Sequence, residues 1–331
     1  MLTVNRIADL DFSDLYLEPD GSAWAKRSND GKDRTVLDGA LLEESVILRE
    51  RLNEHRTGMD FTITLGDTQG DNVRLRIQRI EAIDGDVFVC RKLLSKIADI
   101  DKIGYSAKLI NYLMSESLNK GLVLYTGSTG AGKSTSMSAF ITARLRKHGG
   151  TCLTVENPIE ISLSGRFYNS ETGTVGTCYQ TEVANENEIG DSIRRFKRAS
   201  PTMIMVGEIR KQSTAAETVD AGGSGVLCCS TFHSNDIISA LNRLRDMLSQ
   251  SESQAMAESL AAIIHQSIEV RVINGQRKRF FSVSPLIISG TNNGTKIRQV
   301  LRQGDYQLLT SEIERQKTIL FSNNGDDRYM I

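Results

Sequence analysis

The chain has 331 residues with 39% apolar and 24% charged side chains, an ordinary globular composition large enough for about two domains. Forty basic residues against 41 acidic leave a net charge of −1, which excludes a globally basic nucleic-acid binder, and no specific nucleic-acid binding is expected. The first hundred residues hold 14 basic and 19 acidic side chains, so the remainder is slightly positive, consistent with two units. The five cysteines are odd in number and form no Cys-x-x-Cys pair, arguing against a disulfide framework or a zinc ribbon. The opening MLTVNRIADL lacks the basic and apolar regions of a signal peptide, and no apolar run approaches the ~20 residues of a membrane span. These features point to a soluble, cytoplasmic chain with no direct membrane insertion.

Residues 1–100 read as mixed α and β. SDLYLE (13–18) alternates, Leu41 to Arg56 can form a helix with Leu42, Val46 and Leu48 among its apolar positions, and FTITL (61–65), VRLRI (73–77) and DVFVC (86–90) follow as strands. Asp84-Gly85 is a hairpin turn signal, and Val73, Leu75 and Ile77 share one face of their strand while Arg74 and Arg76 share the other. Residues 101–107 are expected to form a linker.

Beyond it, strands alternate with helices, the pattern of a parallel sheet. GLVLYT (121–126) leads into a glycine-rich turn and then a helix carrying Met137, Phe140, Ile141 and Leu145. CLTV (152–155), MIMV (203–206) and VLCCST (226–231) are further buried strands. Ile237, Ile238, Leu241, Leu244 and Leu248 trace one helix, and Met256, Leu260, Ile263 and Ile264 a second. A hairpin turning at Asn274-Gly275 comes next, then two helices, with 322–331 a flexible tail. Residues 163–187 receive no assignment.

The strongest chemical signal is Gly127-Ser128-Thr129-Gly130-Ala131-Gly132-Lys133-Ser134-Thr135, which contains G-x(4)-G-K-[ST] between a buried strand and an amphipathic helix. Glycines let consecutive backbone N–H groups surround phosphate oxygens at a helix N-terminus. Lys133 would then reach the β- and γ-phosphates, and the Ser134 hydroxyl would ligate Mg²⁺. MIMVGE (203–208) delivers Glu208 at a strand end beside that metal, with Gly207 in place of the usual Asp. In TVENPIE (154–160), Glu156 or Glu160 can orient and deprotonate a water, and spacing does not choose between them. His233, after the strand VLCCST, can sit near the γ-phosphate; a lone histidine is more often structural. Arg74, Arg76, Arg79 and Arg91 read first as the solvated face of a sheet, and second as arginines that complete a nucleotide site.

Together, GSTGAGKST (127–135), VENPIE, VGEIR (206–210) and STFHS (230–234) resemble the motor ATPases of type II and type IV secretion and of type IV pili. FSDLYLEPDG, NRLRDM and AESLAAIIHQ extend the resemblance over roughly residues 10–310. It implies a PAS-like α+β domain over 1–100, a RecA-like P-loop ATPase domain over 108–321, and assembly as a homo-hexamer that uses ATP and Mg²⁺. The partners implied are inner-membrane components of a secretion, conjugation or pilus machine, with the chain held peripherally at that membrane. By resemblance, Glu160 is the base, Glu208 belongs with Mg²⁺, and Arg76 and Arg91 reach bound nucleotide. Asn157, Lys211 and Val226 depart from the pilus-motor pattern, and the tetracysteine element of type II motors is missing. What remains is similar to type IVB secretion and conjugation ATPases and to retraction motors. A P-loop kinase and a non-hydrolysing nucleotide-switched scaffold are the alternative readings.

Overall fold

The computed structural model describes residues 6–26, 34–54, 58–66, 72–93, 97–273, 276–321 and 328–330. The chain divides into two compact units, residues 1–96 with 157–162, and 97–156 with 163–331. The architecture is α/β.

The first unit holds β1 (Asp14–Leu17), β2 (Ala23–Lys26), β3 (Arg34–Val36), α1 (Gly39–Glu54), β4 (Asp60–Gly66), β5 (Asn72–Ala82) and β6 (Gly85–Lys92). Its strands form one antiparallel sheet in the order β3-β2-β1-β6-β5-β4. The alternation of β5 is realised, because Leu75 and Ile77 are fully buried and pack with Leu15, Leu17, Phe88 and Cys90. Leu48 and Leu52 of α1 join that core, whereas Val46 is exposed. The buried stripe of α1 is Ser45, Leu48 and Leu52, with Leu41 and Leu42 partly buried against the same core. The β5–β6 turn lies one residue earlier than the Asp84-Gly85 signal suggests. Ala82 pairs with Gly85, leaving Ile83-Asp84 as the two-residue loop, with Ile83 fully exposed.

The second unit begins with α2 (Ala107–Leu113), β7 (Gly121–Gly127), α3 (Lys133–His148), β8 (Gly150–Glu156), β9 (Gly165–Tyr168) and β10 (Val175–Glu182). It continues with α4 (Asn187–Arg198), β11 (Met203–Glu208), α5 (Gln212–Gly223), β12 (Leu227–His233), α6 (Ile237–Asp246) and α7 (Gln250–Ser259). Finally come β13 (Leu260–Ile273), β14 (Gln276–Ile287), α8 (Gly294–Gln303), α9 (Thr310–Phe321) and β15 (Arg328–Met330). The sheet order is β15-β14-β13-β7-β12-β11-β8-β10-β9. From β13 to β10 the strands are parallel, and β14, β15 and β9 add antiparallel pairs. Every residue of β7 is buried, as a strand covered by helices on both faces requires.

Several expectations change here. Leu260, Ile263 and Ile264 belong to β13, not to the helix with Met256, because α7 stops at Ser259. A run such as LAAII has no period that separates a buried helix from a buried strand, and pairing with β7 decides it. The unassigned stretch 163–187 supplies β9 and β10, which extend the sheet beyond β8. Within 101–107, Tyr105 is buried and stacks on Phe281, and the Ser106 side chain caps α2 by accepting from the Leu109 N–H. Asn274-Gly275 lies outside the described residues, although Ile273 pairs with Gln276. Of the expected tail, Arg328–Met330 pairs with β14.

Candidate nucleotide site

The parallel order places four candidate elements along one edge of the sheet. β7 ends at Gly127, its neighbour β12 at His233, the next strand β11 at Glu208, and the next, β8, at Glu156. With ~4.8 Å between strands, β11 lies about 10 Å and β8 about 14 Å from the P-loop strand. This carboxyl edge is where open α/β sheets bind ligands.

The turn from β7 into α3 depends on glycine in two ways. Gly127 has φ +148°, and a Cβ there would stand 2.3 Å from the Gln266 carbonyl oxygen. Gly130 and Gly132 have φ +79° and +82° in open space, so conformation alone sets their demand. Ser128, Thr129 and Gly130 are exposed, Ala131 is buried, and Lys133, Ser134 and Thr135 are half-buried. The Lys133 ammonium donates to the carbonyls of Gly127 (3.0 Å) and Ser128 (2.8 Å). It therefore lies over the loop whose amides would receive phosphate.

Glu156 is buried, and its Oε1 accepts from the Thr154 hydroxyl at 3.0 Å and from Gln180 Nε2 at 2.9 Å. Gly207 accounts for the missing Asp of the second box. A Cβ at that position would meet the Glu156 Cγ at 3.1 Å, tighter than side chains normally approach. The Thr231 hydroxyl donates to the Gly207 carbonyl at 2.7 Å across an irregular step in the β11–β12 register. Glu208 follows, partly exposed, with Arg210 Nε donating to its Oε2 at 2.6 Å while Arg210 Nη1 donates to Glu186 at 2.8 Å.

His233 pairs in register with Gly127, and its backbone carbonyl accepts from Arg243 at 2.8 Å. Sequence reasoning missed its counterpart on the other side of β7. His265 of β13 pairs with Thr126, and its Nδ1 lies 3.0 Å from the Thr126 hydroxyl. Burial holds the His265 pKa below its ordinary value, against the opposing field of Asp236. The next residue, Gln266, is fully buried and donates through Nε2 to the Ser136 hydroxyl of α3 at 2.8 Å. The available signal was a histidine directly after the apolar run AAII, but only the pairing of β13 with β7 gives it meaning.

Glu160, Arg76 and Arg91 belong to the other unit. Glu160 is exposed between the buried Ile159 and Ile161, after the turn at Pro158. Arg76 and Arg91 face one another across β5 and β6, which would repel without compensation. Each meets an aspartate. Arg76 makes a two-pronged contact with Asp60 (3.0 and 2.6 Å), and Arg91 donates to the buried Asp14 at 2.7 Å. Arg79 pairs with Asp86. The partly exposed Arg76 and Arg91 of one face are thus ion-paired, while Arg79, three positions from Arg76, lies on the other face of β5, over the Phe88 ring.

A family model described as type II/IV secretion system protein matches residues 39–326, 288 of the 331 positions. The chain belongs to this family. It is 34% identical over 288 residues to the putative type II secretion system protein E of Escherichia coli, covering 82% of this chain and 55% of that one. The type IV pilus assembly ATPase PilB of Acinetobacter baylyi is 30% identical over 71% of this chain and 41% of its own length. The chain thus spans about half the length of these curated relatives. Type II secretion and pilus names appear side by side among them. In fold, it is similar to the pilus retraction motor PilT with bound ADP (TM-score 0.71, 21% identity, 97% of this chain and 91% of that one). The Legionella pneumophila ATPase DotB is similar too (TM-score 0.68, 17% identity, 90% of this chain and 84% of that one). Among the described residues, no helix is long and apolar enough to cross a membrane.

Proposed function

We propose that the chain is an ATP-hydrolysing subunit of a homo-hexameric ring that powers a membrane-embedded secretion, conjugation or pilus machine from the cytoplasmic face of the inner membrane. The observation that carries this reading is the glycine-built turn from β7 into α3, with His233, Glu208 and Glu156 ending successive parallel strands on the same edge.

The amides of 127–135 bind the phosphates, and Lys133 leaves its two carbonyl acceptors to neutralise their charge. Ser134 and Glu208 supply hard oxygen donors, few in number, which suits Mg²⁺ shared with phosphate and water. The ion, when bound, offsets developing charge on the phosphate oxygens. Glu160 is the base for the attacking water, because it is exposed while Glu156 is buried and already accepts two hydrogen bonds. Glu156 instead fills the space over Gly207 and fixes the Glu208 strand end. His233, beside Gly127, senses the terminal phosphate. Arg76 and Arg91 exchange their aspartates for the nucleotide of a neighbouring subunit.

The test is Mg²⁺-dependent phosphate release from ATP with no acceptor present, with particle mass measured with and without ATP. A hexamer that releases phosphate is the expected result. Phosphate transfer only to an added acceptor, or a monomer at all nucleotide concentrations, refutes the proposal.

A further inference from the structure

The amino edge of the second unit's sheet, opposite the P-loop edge, contains a cavity of about 540 Å³. It is bounded by the connection from α2 to β7 (Glu116, Asn119), the end of α3 (Arg144, His148) and the starts of β11 and β12 (Met203, Leu227). Its volume falls within the range of small-molecule sites.

Arg144 is unusual among these residues. It is 94% buried, yet it makes no ion pair among the described residues. A buried guanidinium is normally matched by a carboxylate, because losing water is costly for a charge left unpaired. Here Nη1 donates to the carbonyls of Leu113 (2.8 Å) and Ser115 (3.0 Å), which anchors the arginine to the end of α2. Nε and Nη2 have no acceptor among the described residues. His148 Nε2 lies 3.1 Å from the Met114 carbonyl, so as a donor there it leaves Nδ1 free to accept. Burial lowers the Arg144 pKa, as expected of a cation held without an anion, but the guanidinium stays charged. Glu116 also lines the cavity and is exposed.

We propose that this cavity is a second ligand site, separate from the P-loop, which takes a small molecule through an oxyanionic group bound by Arg144. The guanidinium presents two parallel N–H donors, the geometry that recognises phosphate or carboxylate oxygens. Met203 and Leu227 offer apolar contact to the body carrying that group. Because Arg144 and His148 also hold the carbonyls that end α2, an occupied site fixes the α2–β7 connection to α3. The nucleotide reading does not enter this argument, and the site stands if that reading fails.

Tungstate soaked into crystals of the full chain locates bound oxyanion by anomalous scattering without any substitution, and the P-loop serves as an internal reference. A peak within hydrogen-bonding distance of Arg144 Nε and Nη2 is expected. A peak at the P-loop alone, or none at Arg144, overturns the proposal. In solution, equilibrium dialysis with radiolabelled inorganic phosphate should find a binding event in Lys133→Ala protein that Arg144→Lys weakens at least tenfold. Acetate that displaces the phosphate assigns a carboxylate as a competent group as well, and failure to displace restricts the site to phosphoryl groups. Phosphate binding that is unchanged by Arg144→Lys overturns the assignment.

Discussion

Replacing Gly127 and Gly130 separately by alanine tests how the P-loop is built, since an added methyl is crowded at one site and unobstructed at the other. At Gly130 the added methyl meets nothing within 4 Å, and only the φ of +79° resists it. That conformation costs a non-glycine residue about 1–2 kcal/mol. At Gly127 the backbone is also unfavourable, with φ +148°, and the methyl would fall 2.3 Å from the Gln266 oxygen and 3.1 Å from the Ala131 Cβ. The Gln266 carbonyl cannot yield alone, because its side chain is tied to Ser136 and its strand is paired to β7. Overpacking of this kind adds about 1–3 kcal/mol to a backbone term of about 1–3 kcal/mol. Gly127→Ala should therefore cost about 2–6 kcal/mol, clearly more than Gly130→Ala. The only tryptophan, Trp24, lies in the first unit, so its fluorescence would report the wrong transition. Far-UV circular dichroism in urea, with hydrogen exchange of the β7 and β13 amides, reads the right one. Equal losses for the two variants would refute the claim that β13 supports the loop at Gly127.

Other expectations follow from the same geometry. Glu160→Gln should retain ATP binding and slow phosphate release by ~10²–10⁴-fold, whereas Glu208→Gln should also weaken Mg²⁺-dependent nucleotide binding; equal, mild effects in both assays would move the base elsewhere. Arg91→Ala should destabilise the first unit by about 1–2 kcal/mol, because Asp14 is left buried without its cation, and Trp24 fluorescence in urea is the measurement. Glu312 has its pKa lowered to about 2, first by the hydrogen bond from Arg315 and also by those from Gln316 and Asn293, against burial. Its contribution, about 1–2 kcal/mol, is therefore present above pH 4.5 and lost as pH falls toward 2. Glu312→Gln should show that loss at neutral pH and flatten the stability profile over that acid range.

The P-loop could be read directly because its chemistry is local: a strand, a glycine turn and a helix contiguous in sequence. Strands such as GLVLYT and MIMV were equally plain, being short apolar runs bounded by turns. What escaped was information carried by pairing. LAAII could not reveal whether it was helix or strand until β7 was its neighbour, and His265 stayed unnoticed for the same reason. The hairpin β9–β10 is polar, with Tyr168 and Tyr179 exposed, so it lacks the apolar pattern by which strands are recognised. The partners of Arg76 and Arg91 were hidden too, since Asp14 lies 77 positions from Arg91 and meets it only through the β1–β6 register.

The position of β7 between β12 and β13 also sets when the nucleotide site can exist. Gly127 rests on Gln266, and β7 takes its parallel partner Leu260–His265 from about 140 positions downstream. A chain emerging from the ribosome therefore carries a complete glycine motif long before it carries a complete cradle. Until the β13 segment arrives, one edge of an apolar strand stays open, and contacts this distant in sequence form slowly. Nucleotide cannot act as an early folding template for such a domain; it can only select molecules already built as far as β13.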